Sequence, residues 1–432
     1  MTIRTLFCAI MLLTCAATAL CEDPAVIHPE IGISASDGKI KVTLVATIQN
    51  LYTNRLKDPD IHSPKSVNFS PGDSLFAVNS LEGCRTPFYR TDDRQKLFTI
   101  RHRFTRADSL LWADDGLTFD FTGEYDHPDV FSGKPVEGVF SHGGRYFWVP
   151  YYRRSFDHNA QEPSALAIID TQKRAIVRLM NTGVLPKMIA CSHDSRQIAV
   201  THWGDNTVGI IDCSGANPAK WHYTGLYIVD YRFAVEVNDS VPVNRDMGSG
   251  NALRGTVFTP DDRYLLVGCM GGSGGIAVID LQQKKYLGRL TGMMPNVRHL
   301  IIDHGYLYLS INRTGHVQRI ALQDVINATA RFSAKQKKVR VDGWRSAKVG
   351  AGARTISITP DGRYLFAACN FASCVSVVDT RLMKEVMRIN ADSYPVGMDI
   401  SSDGKTLIVT SQGRNDQGGN SVDIFKIEYL KP

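Results

Sequence analysis

Five basic side chains stand at one recurring position of this sequence, and the chemistry open to such a set is the capture of an anion. Seven segments share a pattern centred on a Ser, Thr or Asp that opens a polar turn: Ser70, Ser141, Ser192, Thr259, Asp303, Thr359 and Ser401. Five residues before them stand Lys65, Val136, Lys187, Arg254, Arg298, Arg354 and Val396. With 49 Lys and Arg in 432 residues, chance would put about one basic residue in seven such places, not five. Three of the five are Arg, whose planar fork suits two-point capture of a carboxylate or phosphate. Like charges converge only at a cost unless an anion or nearby carboxylates offset it. A purely structural use competes with anion capture: each cation would hydrogen-bond the loop of the next repeat, with Asp205, Asp261 or Asp361 as partners. Glu137 is the one acid placed to meet the set, as a counter-ion or as an acid/base group.

The elements that must position these residues are strands. VFTPDDRYLLVG (257–268) and ISITPDGRYLFAA (356–368) each read as an alternating apolar strand, a polar turn and a second strand. Weaker copies are VNFSPGDSLFAV (67–78), VFSHGGRYFWV (139–149), IACSHDSRQIAV (189–200), LIIDHGYLYLS (300–310) and MDISSDGKTLIV (398–409). A third strand ending in Asp follows in ALAIIDT (165–171), VGIIDC (208–213), IAVIDL (276–281) and SVVDT (376–380). A fourth follows in RAIVRLM (174–180), KYLGRL (285–290) and KEVMRI (384–389). Four-strand units joined by Gly, Asp, Ser and Pro turns are blades of an all-β propeller, and seven units predict seven blades. None of them could bury both faces alone, so the units form one domain over 39–432, with 20–38 as a linker. Insertions are expected at roughly 80–130, 214–251 and 313–350. The last unit stops after its third strand, SVDIFKIEY (421–429), and KIKVTLVATIQN (39–50) is a spare strand. Pairing the two would complete the seventh blade and leave no open edge.

In a propeller the first strand of each blade lines the central channel, so the five cations are expected to converge at one mouth. Loops after the second strands should face that same mouth. They bring Tyr151, Tyr152, Arg153, Arg154, His202, Trp203, Asn312, Asn370 and Gln412. Aromatic faces, amides and cations together suit a polar ligand with flat or sugar-like surfaces. His202 is a candidate base or metal ligand, set against a loop-ordering role beside Trp203.

VTHWGDNTVGIIDC (200–213), preceded by LPKMIACSHDSRQIAV (185–200) and echoed by VTSQG (409–413), resembles the YVTN-repeat propellers, the YncE-like group of exported bacterial proteins. The resemblance covers about 62 to 428, although the consensus itself is degraded to VTHW, AACN, LSIN and AVNS. It implies the propeller fold and leaves function open among binding proteins, haem-d1-associated propellers and sugar lactonases. Three readings follow. The first is a non-enzymatic binder, without a cofactor, of an anionic small molecule, glycan, peptide end or protein partner. The second is a lactonase-type hydrolase using Glu137 or His202, with the Arg residues supporting an oxyanion. The third is a haem-d1-like protein with propionates on the Arg residues and His202 as axial ligand. The first is preferred, because the mouth is rich in cations and poor in the carboxylates that acid/base work needs.

Other signals set the context. Arg4, the apolar run Leu6–Leu13 and the small residues Ala16–Ala19 have the layout of a secretory signal peptide over 1–19, cleaved after Ala17-Thr18-Ala19. An exported, periplasmic or cell-surface protein is expected, and a monomer. Cys21 opens a lipid-anchor alternative, which the bulky Leu20 before it disfavours. No later apolar stretch is long enough to span a membrane. Outside the leader region, six of the nine Cys are spread too thinly for a disulfide scaffold, although Cys369 and Cys374 could pair across a hairpin. A net charge of +6 does not by itself argue for nucleic acid, and KQKKVRV (335–341), read as an outer strand of the fifth blade, lacks aromatic interleaving. GCMGGSGG (268–275) lacks the helix and Lys of a phosphate loop. No spacing predicts a metal centre, and Asp126-His127-Pro128-Asp129 reads as a polar turn.

Overall fold

A computed structural model describes residues 28–49, 56–234, 245, 248–414 and 417–430. The expected leader, its cleavage site and Cys21 lie outside the described residues. Alternating apolar residues and turn formers produce seven sheets of four or more mainly antiparallel strands, arranged as a seven-bladed β-propeller. Pro64–Phe69, Pro186–Cys191, Leu253–Phe258, Val297–Asp303, Ala353–Ile358 and Pro395–Ile400 are the first strands of blades one and three to seven. Blade two begins with the two short strands Gly133–Pro135 and Val139–Ser141.

The spare N-terminal strand closes the ring. Ile40–Gln49 runs antiparallel to Ser421–Tyr429, with Ile40 opposite Tyr429 and Gln49 opposite Ser421. Part of the stretch expected as linker is itself a strand, since Ser34–Ser36 pairs with Ile40–Gln49 and widens this sheet. The expected insertions are smaller than the sequence suggested. Arg85–Arg90 and Lys96–Arg101 are the third and fourth strands of blade one, and His222–Ile228 is the fourth of blade three. Lys338–Arg340 does not belong to blade five: it pairs in parallel with Lys285–Thr291 of blade four. The outer strand of blade five is Arg345–Lys348. Only a nonlocal pairing distinguishes these two assignments, and periodicity does not encode it.

The core lies between blades rather than at the ring centre. Blades three and four, for example, share a seam in which Ala199, Val208 and Ile210 meet Leu253, Leu265, Val267 and Ala277. The closing strand supplies Ile40, Val42 and Leu44 to the seam between blades six and seven. Because each seam is built from both neighbours, no blade is stable alone and the closure stabilises the whole ring.

The turns between first and second strands are closed within each repeat. The Thr259 hydroxyl accepts from the Tyr264 N–H at 2.9 Å and donates to Asp261 Oδ1 at 2.6 Å. Thr359 with Tyr364 and Asp361, Ser192 with Gln197 and Asp194, and Ser401 with Thr406 and Asp403 repeat this device. Four third strands end in Asp (Asp170, Asp212, Asp280 and Asp379), and each of these carboxylates accepts from a backbone N–H just beyond it, as Asp379 does from Arg381 and Leu382. All six described cysteines are free thiols, and Cys369 and Cys374 are buried strand partners.

Candidate functional site

The five cations owe their common direction to two backbone features that recur around the ring. Each is the second residue of its first strand, and the ladder shifts register there: between Pro64 and Ser66, Pro186 and Met188, Leu253 and Thr256, Val297 and His299, and Ala353 and Ile356. The basic residue is therefore part of a bulge, a device that re-aims a side chain. Just before each strand the chain passes through left-handed backbone, at Ser63, Leu185, Ala252, Asn296, Gly352 and Tyr394. Only Gly352 among them avoids a side-chain penalty, so five residues hold a conformation that the surrounding structure must enforce. In the seventh blade Val396 holds the cation position, and the residue after it is Gly397, where a Cβ would come 2.7 Å from the Lys65 carbonyl oxygen.

Four of the five cations, Lys65, Lys187, Arg298 and Arg354, line one cavity of about 520 Å³. Tyr152, Arg153, Trp203, Asn312, Asn370 and Gln412 share its wall. Lys187 Nζ is 4.0 Å from the centre of the Tyr152 ring and 5.2 Å from that of Trp203. Those faces stabilise a cation where water is scarce. The Trp203 indole is fixed from behind, donating to the Arg245 carbonyl at 2.8 Å. Asn312 donates to the Ala353 carbonyl and to Asn370 Oδ1, which ties two loops of the wall together. Arg153 donates to the Asp157 carbonyl at 2.7 Å, and Gln412 to Ser63 Oγ at 2.9 Å.

Arg254 is the brace of this group. It is 3% exposed, donates to the Lys187 carbonyl at 3.0 Å and pairs with Glu137 Oε1 at 2.8 Å. Glu137 is thus the counter-ion of one cation in a set of five, and the acids first considered as partners are engaged elsewhere. Asp261 and Asp361 close hairpin turns at the far end of the first strands. Asp205 accepts from Thr207 and, buried, is pushed up to about 6. The surplus of positive charge has a visible consequence. Burial first, then Arg354, Arg254 and Lys187, hold the Lys65 ammonium well below the usual lysine range, with Glu137 opposing. His299, beside Arg298, is lowered to about 3 by burial and then by Arg254 and Arg298.

Three candidates sit elsewhere. Tyr151 is fully buried in the seam of blades one and two, its hydroxyl 2.9 Å from His102 Nδ1. Its neighbour Tyr152 faces the cavity, because adjacent strand residues point to opposite sides. His202 is also fully buried, with Nδ1 2.7 Å from the Thr207 hydroxyl, and burial lowers its pKa to about 3. It cannot serve the mouth as base, metal ligand or axial ligand. Arg154 points away from the cavity and holds the loop before blade two, donating to the Pro128 carbonyl and lying over Trp112, Phe121 and Phe131. Conversely, the wall includes Tyr394 and Phe371, ring centres 6.3 Å apart, which the repeat alignment did not single out. Tyr394 is the left-handed residue before the seventh first strand, so the spacing that located the cations also marks its place. Among the described residues no group of three or more His, Cys, Asp or Glu could hold a metal ion, and no helix is long and apolar enough to cross a membrane.

No protein-family model matches the chain, and no curated protein does. Solved structures do. Kuenenia stuttgartiensis hydrazine synthase aligns at 13% identity and a TM-score of 0.59, over 88% of this chain and 99% of that one. The Cps50 (Swd1) β-propeller domain of Myceliophteria thermophila aligns at 11% identity and a TM-score of 0.57, over 84% and 96%. At such identities the likeness is one of fold, and this chain is similar to both in being a β-propeller.

Proposed function

We propose that this propeller is a non-catalytic binding protein whose cationic cavity holds a small anion, a carboxylate or phosphate carrying a flat or sugar-like body. The observation that carries this reading is the meeting of Lys65, Lys187, Arg298 and Arg354 in one cavity with Tyr152 and Trp203. The cations supply charge and directed donors, and the rings supply faces for the uncharged part of the ligand. A hydrolase is less well supported, since Glu137 is engaged by Arg254 and His202 is sealed in the protein. The haem reading loses its axial ligand for the same reason. We further propose that the chain belongs with the YVTN-repeat, YncE-like propellers and is exported to the periplasm or cell surface as a monomer, on the strength of the repeat motifs and the leader-like N-terminus.

Calorimetric titration with citrate at low and high salt tests the binding reading. Binding that weakens steeply with salt, and by about tenfold or more in Arg298→Ala and in Arg354→Ala, is expected. Affinity unmoved by salt and by both substitutions would overturn it.

A further inference from the structure

The cations of the cavity are not equivalent. Arg254 has a carboxylate and a carbonyl, and Lys187 has two aromatic faces. Lys65 is as buried as Lys187, at 7% exposure, and lines the same cavity. Among the described residues no hydrogen bond or ion pair engages its ammonium. The charged groups that act on it most are Arg354, Arg254 and Lys187, all cationic, and Glu137, which Arg254 already engages; Glu82, elsewhere in the cavity wall, is paired with Lys134. A lysine desolvated among cations gives up its proton easily, and a neutral amine is a nucleophile where an ammonium is not.

We propose that Lys65 is a nucleophilic amine that captures the carbonyl carbon of a small anion bearing an aldehyde or ketone, while the neighbouring cations hold its carboxylate or phosphate. The inference rests on the anion-binding reading above and adds the ligand class and a covalent bond. The lone pair of neutral Lys65 attacks the carbonyl carbon, and the carbon–oxygen π pair moves to oxygen, giving a carbinolamine. Both amine hydrogens then leave with that oxygen as one water, so the product is an imine, and hydrolysis reverses the step. No oxidant or reductant is consumed. Arg298 and Arg354 suit the anionic end, because a guanidinium stays charged where the Lys65 amine does not. The bulge after Pro64 holds Lys65 in the wall, which limits the motion a flexible lysine would otherwise have to lose on reaction.

The test uses the full chain with pyruvate as probe and cyanoborohydride as the hydride donor that fixes any imine as a secondary amine. Peptide mass mapping at neutral pH should find Lys65 modified about tenfold or more over every other lysine. Citrate should suppress that modification, and Lys65→Arg should abolish it at this site. Because mapping is done on the unsubstituted protein, the result does not depend on whether the variant folds. Pyruvate that binds by calorimetry yet leaves Lys65 unmodified, or modification spread evenly over the lysines, overturns the inference and leaves the anion-binding reading standing. Failure of both pyruvate and citrate to bind overturns the two together.

Discussion

The first strands of the propeller have two polar ends that behave oppositely. At the turn end, Thr259, Thr359, Ser192 and Ser401 each find an acid two residues on and a backbone N–H five residues on, so in these four repeats the turn satisfies its own polar groups. At the other end, the basic residues recur at one position of five blades, and Arg254 is met by Glu137 from another blade. A repeated residue whose partner is inside its own repeat serves the fold. A repeated charge whose neighbours are its own copies stores unfavourable charge, and an incoming anion relieves it.

That contrast fixes what substitutions should do. The Arg298→Ala/Arg354→Ala double variant should lose about a hundredfold in citrate affinity while its melting temperature holds or rises, since converging like charges are removed. A large drop in melting temperature would show the two arginines to be structural. Glu137→Gln should do the reverse. It strips the buried Arg254 of its carboxylate, at about 2 kcal/mol in denaturant titration, yet tightens citrate by removing a negative charge that opposes the cations. Weaker citrate binding in that variant would assign Glu137 to the ligand rather than to the brace.

Asp399 lies between the two ends, on the first strand of blade seven. Its carboxylate accepts from the Phe69 and Ile400 N–H groups, and burial raises its pKa from 3.8 to about 7. A raised carboxyl pKa means that the folded state holds the proton more tightly than the unfolded one. This group's contribution is therefore greatest below about pH 4 and is lost as pH climbs to about 7, levelling off above. Stability measured at pH 6 and pH 8 should differ by about 1.4 kcal/mol more in the parent than in Asp399→Asn. An equal difference in both would show that Asp399 titrates normally. The smallest effect belongs to the turn end: Thr359→Val should cost about 1 kcal/mol of stability and leave citrate affinity unchanged.

Much of this was legible in the sequence because propellers repeat. Period-two strands and polar turns defined seven blades, and an unpaired strand at each terminus implied the closure that Ile40–Gln49 and Ser421–Tyr429 make. The cation position was legible as well, because equivalent residues of equivalent repeats must meet around an axis. What the pattern does not carry is parity and long-range pairing. Tyr151 and Tyr152 are adjacent and alike, yet one is sealed in a seam and the other faces the cavity, and His202 and Trp203 divide in the same way. Their strands bend or end at that point, so a one-residue phase decides the outcome. The bulges and left-handed residues that aim the cations are likewise silent, since Ser63, Leu185 and Ala252 are not residue types that announce such a conformation.

The central claim concerns where an anion sits, and a crystal of the protein soaked in citrate tests it most directly. The account predicts citrate in the cavity, with a carboxylate on the Arg298 and Arg354 guanidinium groups and Lys65 and Lys187 within reach. Citrate bound elsewhere on the surface, with these four side chains paired to protein acids and the cavity without an anion, would contradict it.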